Sequence, residues 1–463
     1  MAEAKVTLKG WSVVAARLLF LLILSFAVAG RPAAAQSILR DAETEALFKA
    51  MSRPIVAAAG LRPEDVQVVL IHDRSINAFV AGGQIVYIHS GLIAAADSAN
   101  EVQGVIAHEV GHITGGHVIR IQEGIKVATG IMLLSLVLGA AAMAAGAGEA
   151  GMAAMAAGQQ AAMGKFLAFS RTQESSADAA AASFLAKSRT NGNGLLTFFK
   201  KLQNQEFRYA IPQDNGYMRT HPLTGERLAA LEQSVKSAPG WNSPPDQKLE
   251  ASFQRVKAKL SGYVEDPIRT RQLYPDSNKS VPARYARAYA WHKSAYPDKA
   301  LAEAESLIAE APNDPYFLEL KGQILLESGR PTEALESLRQ SVRNAPDQPL
   351  ISALLGHALI ATERADHYEE AKRVLRAAIG RDNSNPFAWY QLGIVYDREG
   401  DPGRAALATA ERYNLQGEPR LALVNAEQAL RTVPSGTPDW IRAQDIAMVS
   451  RTEVEKKKKN RGN

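Results

Sequence analysis

The sequence predicts an α+β domain, mostly helical with a small sheet, followed by an all-α superhelix of stacked helical hairpins. Three observations predict this order. Short runs rich in β-branched residues cluster between 66 and 89, among segments of helical periodicity. Two histidines four residues apart, His108 and His112, sit in an apolar helical segment. From about residue 280, small residues and prolines recur every 34 positions. A chain of 463 residues has room for roughly three domains. Its 46% hydrophobic and 22% charged residues exclude wholesale disorder. The lack of cysteine excludes a disulfide framework, thiolate metal sites and a cysteine nucleophile, so any metal must be held by nitrogen and oxygen.

Residues 1–35 read as a secretory signal peptide. Lys5, Lys9 and Arg17 precede the apolar run from Leu18 to Ala29, and Ala33-Ala34-Ala35 supplies a small-residue exit. An uncleaved anchor is the alternative, but the run is short for a span. No cysteine follows it to carry a lipid. The formal charge of +5 sits at the two ends. Residues 1–35 hold four basic groups and one acid, and the tail 451–463 holds six basic groups and two acids, which leaves the body between them at −2. That body offers no basic stripe for phosphates, which excludes a nucleic-acid function.

Leu39 to Ala59 carries Leu47, Met51 and Ile55 at helical spacing, and Pro63 ends the pattern. Val66 to Ile71, Asn77 to Val80 and Gln84 to His89 read as strands, with Gly82-Gly83 turning between the last two. Ser90 starts a short helix, and Asp97 or Ser98 can cap a longer one running to about Arg120. The 22 residues from 127 to 148 carry no charge, and a second Ala/Met-rich stretch ends at Lys165. Residues 127–164 therefore read as two helices forming an apolar lid or a membrane-leaning surface. Helices are expected over Phe166 to Lys187 and Asn191 to Gln205, and a loop and helix over Thr220 to Ser234. The break from Pro239 to Pro245 closes a first domain over 36–238, with linker and connecting helix over 239–280.

The repeat follows over 281–450. Ala300 recurs as Ala334, Pro312 as Pro346 and Gly322 as Gly356, each 34 residues on. Gly393 follows after 37, which places a three-residue insertion at Asp366-His367-Tyr368, and Ala371 to Ala405 restores 34. This is the tetratricopeptide period, in which each helical hairpin buries its apolar face only by stacking on its neighbours. The basic tail 451–463 reads as a solvated end.

The chemistry is concentrated in His108-Glu109-Val110-Gly111-His112. Histidines at i and i+4 share a helix face and suit one zinc ion, with Glu109 beside them to take a proton from an attacking water. A catalytic zinc needs a third protein ligand and an open fourth position. Glu174 and Asp178 lie 62 and 66 residues beyond His112, also at i and i+4 on a predicted buried helix. Glu174 can ligate, and Asp178 can accept a hydrogen bond from the outer nitrogen of a ligand histidine. His72, His89 and His117 match no metal spacing and read as structural or surface residues.

These motifs resemble the gluzincin metallopeptidases of the HtpX and CAAX-prenyl-protease superfamily. The resemblance extends to Asn77-Ala78-Phe79, Gly82-Gly83, Ser90-Gly91-Leu92 and Thr220-His221-Pro222-Leu223-Thr224 with Glu226-Arg227. It implies a zincin-type metallopeptidase domain with one Zn2+ per chain on His108, His112 and Glu174, and Glu109 as general base. It implies His221 near the metal, as a reversible fourth ligand or a stabiliser of the tetrahedral intermediate. It also implies Arg227 polarising the substrate carbonyl or pairing with a carboxylate. Asn77, Ala78, Phe79 and Val80 would form an edge strand to which an extended polypeptide substrate adds. Signal peptide, protease and tetratricopeptide-repeat superhelix together are similar to periplasmic proteases that serve outer-membrane protein assembly. The implied partners are polypeptide substrates, the assembly machinery and a membrane surface. The competing readings are a non-proteolytic chaperone or scaffold and an integral membrane protease through 127–148.

Overall fold

The computed structural model describes residues 37–208, 217 and 220–462; the signal peptide expected over 1–35 lies outside them. Helix α1 (Ala42–Ala58) starts at Asp41, whose carboxylate accepts from the Thr44 amide at 2.8 Å. The three longer strands are β1 (Gln67–Ile71), β2 (Ala78–Ala81) and β3 (Ile85–His89). β3 lies between the other two, parallel to β1 and antiparallel to β2, with Val68 beside Val86 and Phe79 opposite Tyr87. β2 is thereby left at an edge of the sheet.

After α2 (Ser90–Ala95) comes α3 (Ala99–Thr114), capped by Ser98, whose hydroxyl accepts from the Glu101 amide at 3.2 Å. The expected continuation to Arg120 does not occur. Gly115 ends α3, Gly116 adopts a left-handed φ of 64°, and α4 (His117–Ala144) sets off as a separate helix. The next difference runs the other way. The Ala/Met-rich stretch and the segment from Phe166 form one 40-residue helix, α5 (Gly148–Lys187). Its many alanines favour helix strongly enough to carry it through Gly151, Gly158 and Gly164.

Then follow α6 (Asn193–Arg208), α7 (Gly225–Ser237), α8 (Gln247–Val264) and α9 (Pro267–Leu273). One core takes Phe48, Met51 and Ile55 from α1, Val86 and Ile88 from β3, Val102, Val105 and Ile106 from α3, Phe198 and Phe199 from α6, and Phe253 and Val256 from α8. Helix α8 is thus packed into the first core.

The repeats run from α10 (Val281–Lys293) through α11 (Pro297–Glu310), α12 (Pro315–Glu327), α13 (Pro331–Asn344), α14 (Pro349–Ala361), α15 (Tyr368–Arg381), α16 (Pro386–Arg398), α17 (Pro402–Leu415) and α18 (Pro419–Thr432) to α19 (Pro438–Gly462). Most open on proline in the first turn, where its missing N–H costs no helical hydrogen bond. Gly322 and Gly356 receive Leu338 and Leu375 at the helix crossings. The longer repeat step is taken up by a 3-10 turn at Ala365–His367. Helix α19 continues through the basic tail, whose residues up to 459 are mostly exposed.

A buried polar junction joins α1, α8 and the first repeats. Lys259 pairs with Asp41 and lies 3.6 Å from Glu43, the Tyr285 hydroxyl donates to Glu43 at 2.7 Å, and Arg255 pairs with Glu43 and Asp314, each at 2.7 Å. The Arg255 guanidinium also lies over the Phe317 ring at 4.3 Å.

Candidate active site

Helix α3 presents His108 and His112 on one face, and α5 presents Glu174 and Asp178 on the face that meets it. The two helices come this close because position 111 is glycine. A Cβ there would lie 2.7 Å from the Ala177 carbonyl oxygen, inside the backbone of α5. The crossing turns two local i, i+4 pairs into one buried cluster. His108 and Glu109 are fully buried, and His112, Glu174, Asp178, His221 and Arg227 are each at most 8% exposed.

Four ligand atoms converge. His108 Nε2 and His112 Nε2 are 3.1 Å apart, and each lies 3.4 Å from a Glu174 carboxylate oxygen. His221 Nδ1 lies 3.1 Å from Glu174 and 3.4 Å from His108 Nε2. Ligands about 2.0–2.1 Å from a tetrahedral zinc ion stand roughly 3.3–3.4 Å from one another. These separations of 3.1–3.4 Å approach that spacing, all four atoms lie within 4.8 Å of one another, and imidazoles with a carboxylate are a donor set zinc takes. Both Glu109 oxygens are buried without a hydrogen-bond partner among the described residues, facing the cluster beside His221 Nε2 at 3.6 Å. Such a carboxylate is costly unless the centre supplies what balances it.

The electrostatics point the same way. Burial opposes a charge on His108, but Asp178 and Glu174 outweigh it and raise the imidazole to about 10. Burial pushes His112 well below its usual value, and neighbouring His108 adds to this. Burial works against the ionised Glu174 and Asp178, yet His108 holds both low, helped by His221 and by Arg227 respectively. Burial raises Glu109. The ionised carboxylates thus hold a proton on His108 where a divalent cation would satisfy them.

Behind the ligand atoms, Asp178 Oδ1 sits 2.9 Å from His108 Nδ1. Arg227 donates to both Asp178 oxygens, at 2.8 and 2.9 Å, and to the Pro222 carbonyl at 2.6 Å, with Glu174 3.2 Å away. Its guanidinium is therefore committed to carboxylates and to the loop that carries His221, not to the cleft. Replacing Asp178 by Asn is expected to weaken zinc binding about 10–100-fold, as read by competition with a chelating dye. Unchanged affinity would show that Asp178 does not orient the imidazole.

Residues without a motif complete the site. His117 Nδ1 lies 2.9 Å from His112 Nδ1, so the first residue of α4 braces a histidine of the cluster that could hold a metal. Spacing could not reveal this, since i+5 points off the ligand face until the Gly115-Gly116 break swings the chain back. Tyr217 stacks near His221 at 4.6 Å, accepts from the His221 amide at 2.7 Å, and donates its own amide to the Ile76 carbonyl at 2.9 Å. No sequence signal marks Tyr217. His72 and His89 stay outside the cluster; the His89 Nδ1 lies 2.9 Å from the Ser75 hydroxyl.

A cleft of about 230 Å3 opens onto Glu109, His112, Glu174 and His221, with Phe79 and Val80 of edge strand β2 on one wall. Phe166 and Phe169 of α5 line it as well. Asn77 and Ala78 are buried at the strand's start. A larger open cavity of about 540 Å3 lies beside Trp291 in the repeats. Its carboxylates Asp276 and Glu303 pair with Arg287, so the metal chemistry belongs to the smaller cleft.

Fold and centre together define a metallopeptidase-type domain followed by helical repeats. Residues 39–235 match the model of peptidase family M48, and residues 316–348 match a tetratricopeptide repeat. The chain thus joins a segment that matches that peptidase family to one that matches a tetratricopeptide repeat. It is similar to the beta-barrel assembly-enhancing protease of Escherichia coli, 26% identical over 262 residues, or 55% of this chain and 52% of the relative. The protein of the same description from Yersinia pestis is 25% identical over 259 residues, again 55% and 52%. The Escherichia coli metalloprotease LoiP is 32% identical over 180 residues, 38% of this chain and 64% of the relative. The chain spans about half the length of the assembly-enhancing relatives.

Proposed function

We propose that this chain is a zinc-dependent endopeptidase of the bacterial periplasm that hydrolyses misfolded or stalled outer-membrane proteins. Its repeats would bind those polypeptides or the machinery that assembles them. The observation that carries the reading is the convergence of ligand atoms from His108, His112, Glu174 and His221 beside Glu109, whose oxygens have no hydrogen-bond partner among the described residues. The descriptions of the relatives support the substrate class.

His108, His112 and Glu174 would hold the zinc. When bound, zinc supplies a Lewis acid that polarises a carbonyl and acidifies water. Glu109 takes the proton of the attacking water and returns it to the leaving amine. The free edge of β2 offers backbone donors and acceptors to an extended substrate and selects little by side chain. Asp178 holds the His108 ring, and Arg227 holds Asp178 together with the loop bearing His221. His221 would be the fourth side chain of the cluster, at a centre that must keep one position open for catalysis. That placement favours one second reading, a chaperone whose protease is silent while His221 stays in place.

Chelation tests the proposal. The chain is expected to contain about one zinc ion and to cleave an unfolded β-barrel protein. Cleavage should stop with a chelator and return with zinc, and Glu174→Gln should remove the metal. Cleavage that persists in chelator, or full zinc in the Glu174→Gln variant, would sink it.

A further inference from the structure

Helices α4 and α5 form an antiparallel hairpin built inside-out relative to a hairpin made for water. Its contacts are between small residues. Gly139 faces Gly151, where a Cβ would come within 2.7 Å of the Gly151 carbonyl, and Gly158 faces Ser135. On α4 only His117, Gly124 and Gly139 are buried. The large side chains point outward: Leu133, Leu134, Leu136, Val137 and Leu138 are each more than half exposed. Successive helical positions differ by about 100°, so these five spread over about 200° of the helix, on the side turned away from Ser135 and Gly139, which meet α5. A protein partner usually covers a narrower stripe; an apolar face this wide suits an apolar solvent. Close packing through glycine and serine with apolar side chains outward is how helices associate in lipid.

Length and charge agree. The uncharged part of α4, from 127 to 144, rises about 27 Å at 1.5 Å per residue, close to the roughly 30 Å of bilayer hydrocarbon. Among the described residues, α4 is the one helix long and apolar enough to cross a membrane. Between 127 and 164 the sole charge is Glu149, at the turn. At the base, Lys126 and Lys165 flank the apolar zone on the two arms, with Arg120 and Arg171 below them and Glu123 as the acid among them. All four basic residues are exposed. Lysines at such a boundary reach the headgroups while their stems stay in the apolar layer.

We propose that the α4–α5 hairpin inserts its apolar zone into a lipid bilayer, with Lys126 and Lys165 at the headgroups and Glu149 at the far turn, so that the cleft at its base opens beside the membrane surface. The hairpin base carries His117, Phe166 and Phe169, which line that cleft. Substrate then reaches the centre from the plane of the membrane, where a stalled outer-membrane protein presents its unfolded segments. Insertion itself rests on the hairpin alone and does not require the protease reading.

The chain has no cysteine, so a single replacement creates a unique labelling site. The full chain carrying Leu134→Cys, labelled with an environment-sensitive nitrobenzoxadiazole fluorophore, is mixed with vesicles of phosphatidylethanolamine and phosphatidylglycerol. A several-fold emission gain with a blue shift is expected at position 134, and no change from a label at Ser328→Cys in the repeats. Adding Val137→Asp should abolish the gain while the far-ultraviolet circular dichroism stays unchanged. No gain at position 134, an equal gain at 328, or a label already shielded without lipid in a dimer seen by light scattering would overturn the proposal. Phosphatidylcholine vesicles separate the two contributions: a retained gain assigns insertion to the apolar end, and a lost gain assigns it to the lysines.

Discussion

Glu109→Gln should lower peptide hydrolysis by about 10²–10⁴-fold while leaving zinc content and thermal midpoint unchanged. The amide keeps the volume of the carboxylate in a fully buried position but cannot accept the proton of the attacking water. Both Glu109 oxygens lack a hydrogen-bond partner among the described residues, so the substitution breaks no structural bond. It also removes a carboxylate whose ionisation burial opposes, which works against any loss of stability. Turnover of an unfolded β-barrel substrate and metal analysis of the same preparation decide the matter. Undiminished cleavage would remove Glu109 from the chemistry, and lost zinc would make it a ligand instead of a base. If the variant still assists folding of the same substrate, the chaperone role is separable from hydrolysis.

The second large effect is expected far from the cleft. Lys259→Met should destabilise the chain by about 3–5 kcal/mol, the usual cost of removing one partner from a buried ion pair. Lys259 is 6% exposed. Burial opposes its charge, yet Asp41, the nearby tyrosines and Glu43 hold its ionised form well above the usual lysine range. Without it, Asp41 and Glu43 stand together in a low-dielectric junction, where burial already raises Glu43. Urea unfolding of the variant measures the loss. A change below about 0.5 kcal/mol, the range of ordinary surface substitutions, would show that Arg255 and Tyr285 carry the junction alone.

Legibility in the sequence followed the range of the interaction. The pairs His108–His112 and Glu174–Asp178 stood out because each reads as a local helix spacing, and the three strands because β-branched runs end at turn residues. The 34-residue period was plain for the same reason: each hairpin must meet the next in one way. What escaped was set by tertiary contact or by competition between local signals. Lys259 meets Asp41 across more than two hundred residues, and no periodicity announces it. His117 reaches His112 only because Gly116 takes a left-handed φ. The continuity of α5 turned on alanine content outweighing three glycines, a balance that a reading by segments divides at Lys165. Nothing in the local pattern marks position 111, although its lack of a Cβ lets helices α3 and α5 cross.

Helix α5 also makes the centre mechanically addressable. It is one rod of 40 residues, and the Gly111–Ala177 crossing is its fulcrum. From Gly148 to that fulcrum the arm is about 44 Å, while Glu174 lies only about 4.5 Å away on the same side, at 1.5 Å per residue. A rigid swing that carries the far end through about 10 Å therefore moves the Glu174 backbone by about 1 Å, and a displacement of that size costs on the order of 10²-fold in rate. The long arm is a reducing lever: coarse motion at one end becomes fine adjustment of a proposed metal ligand at the other.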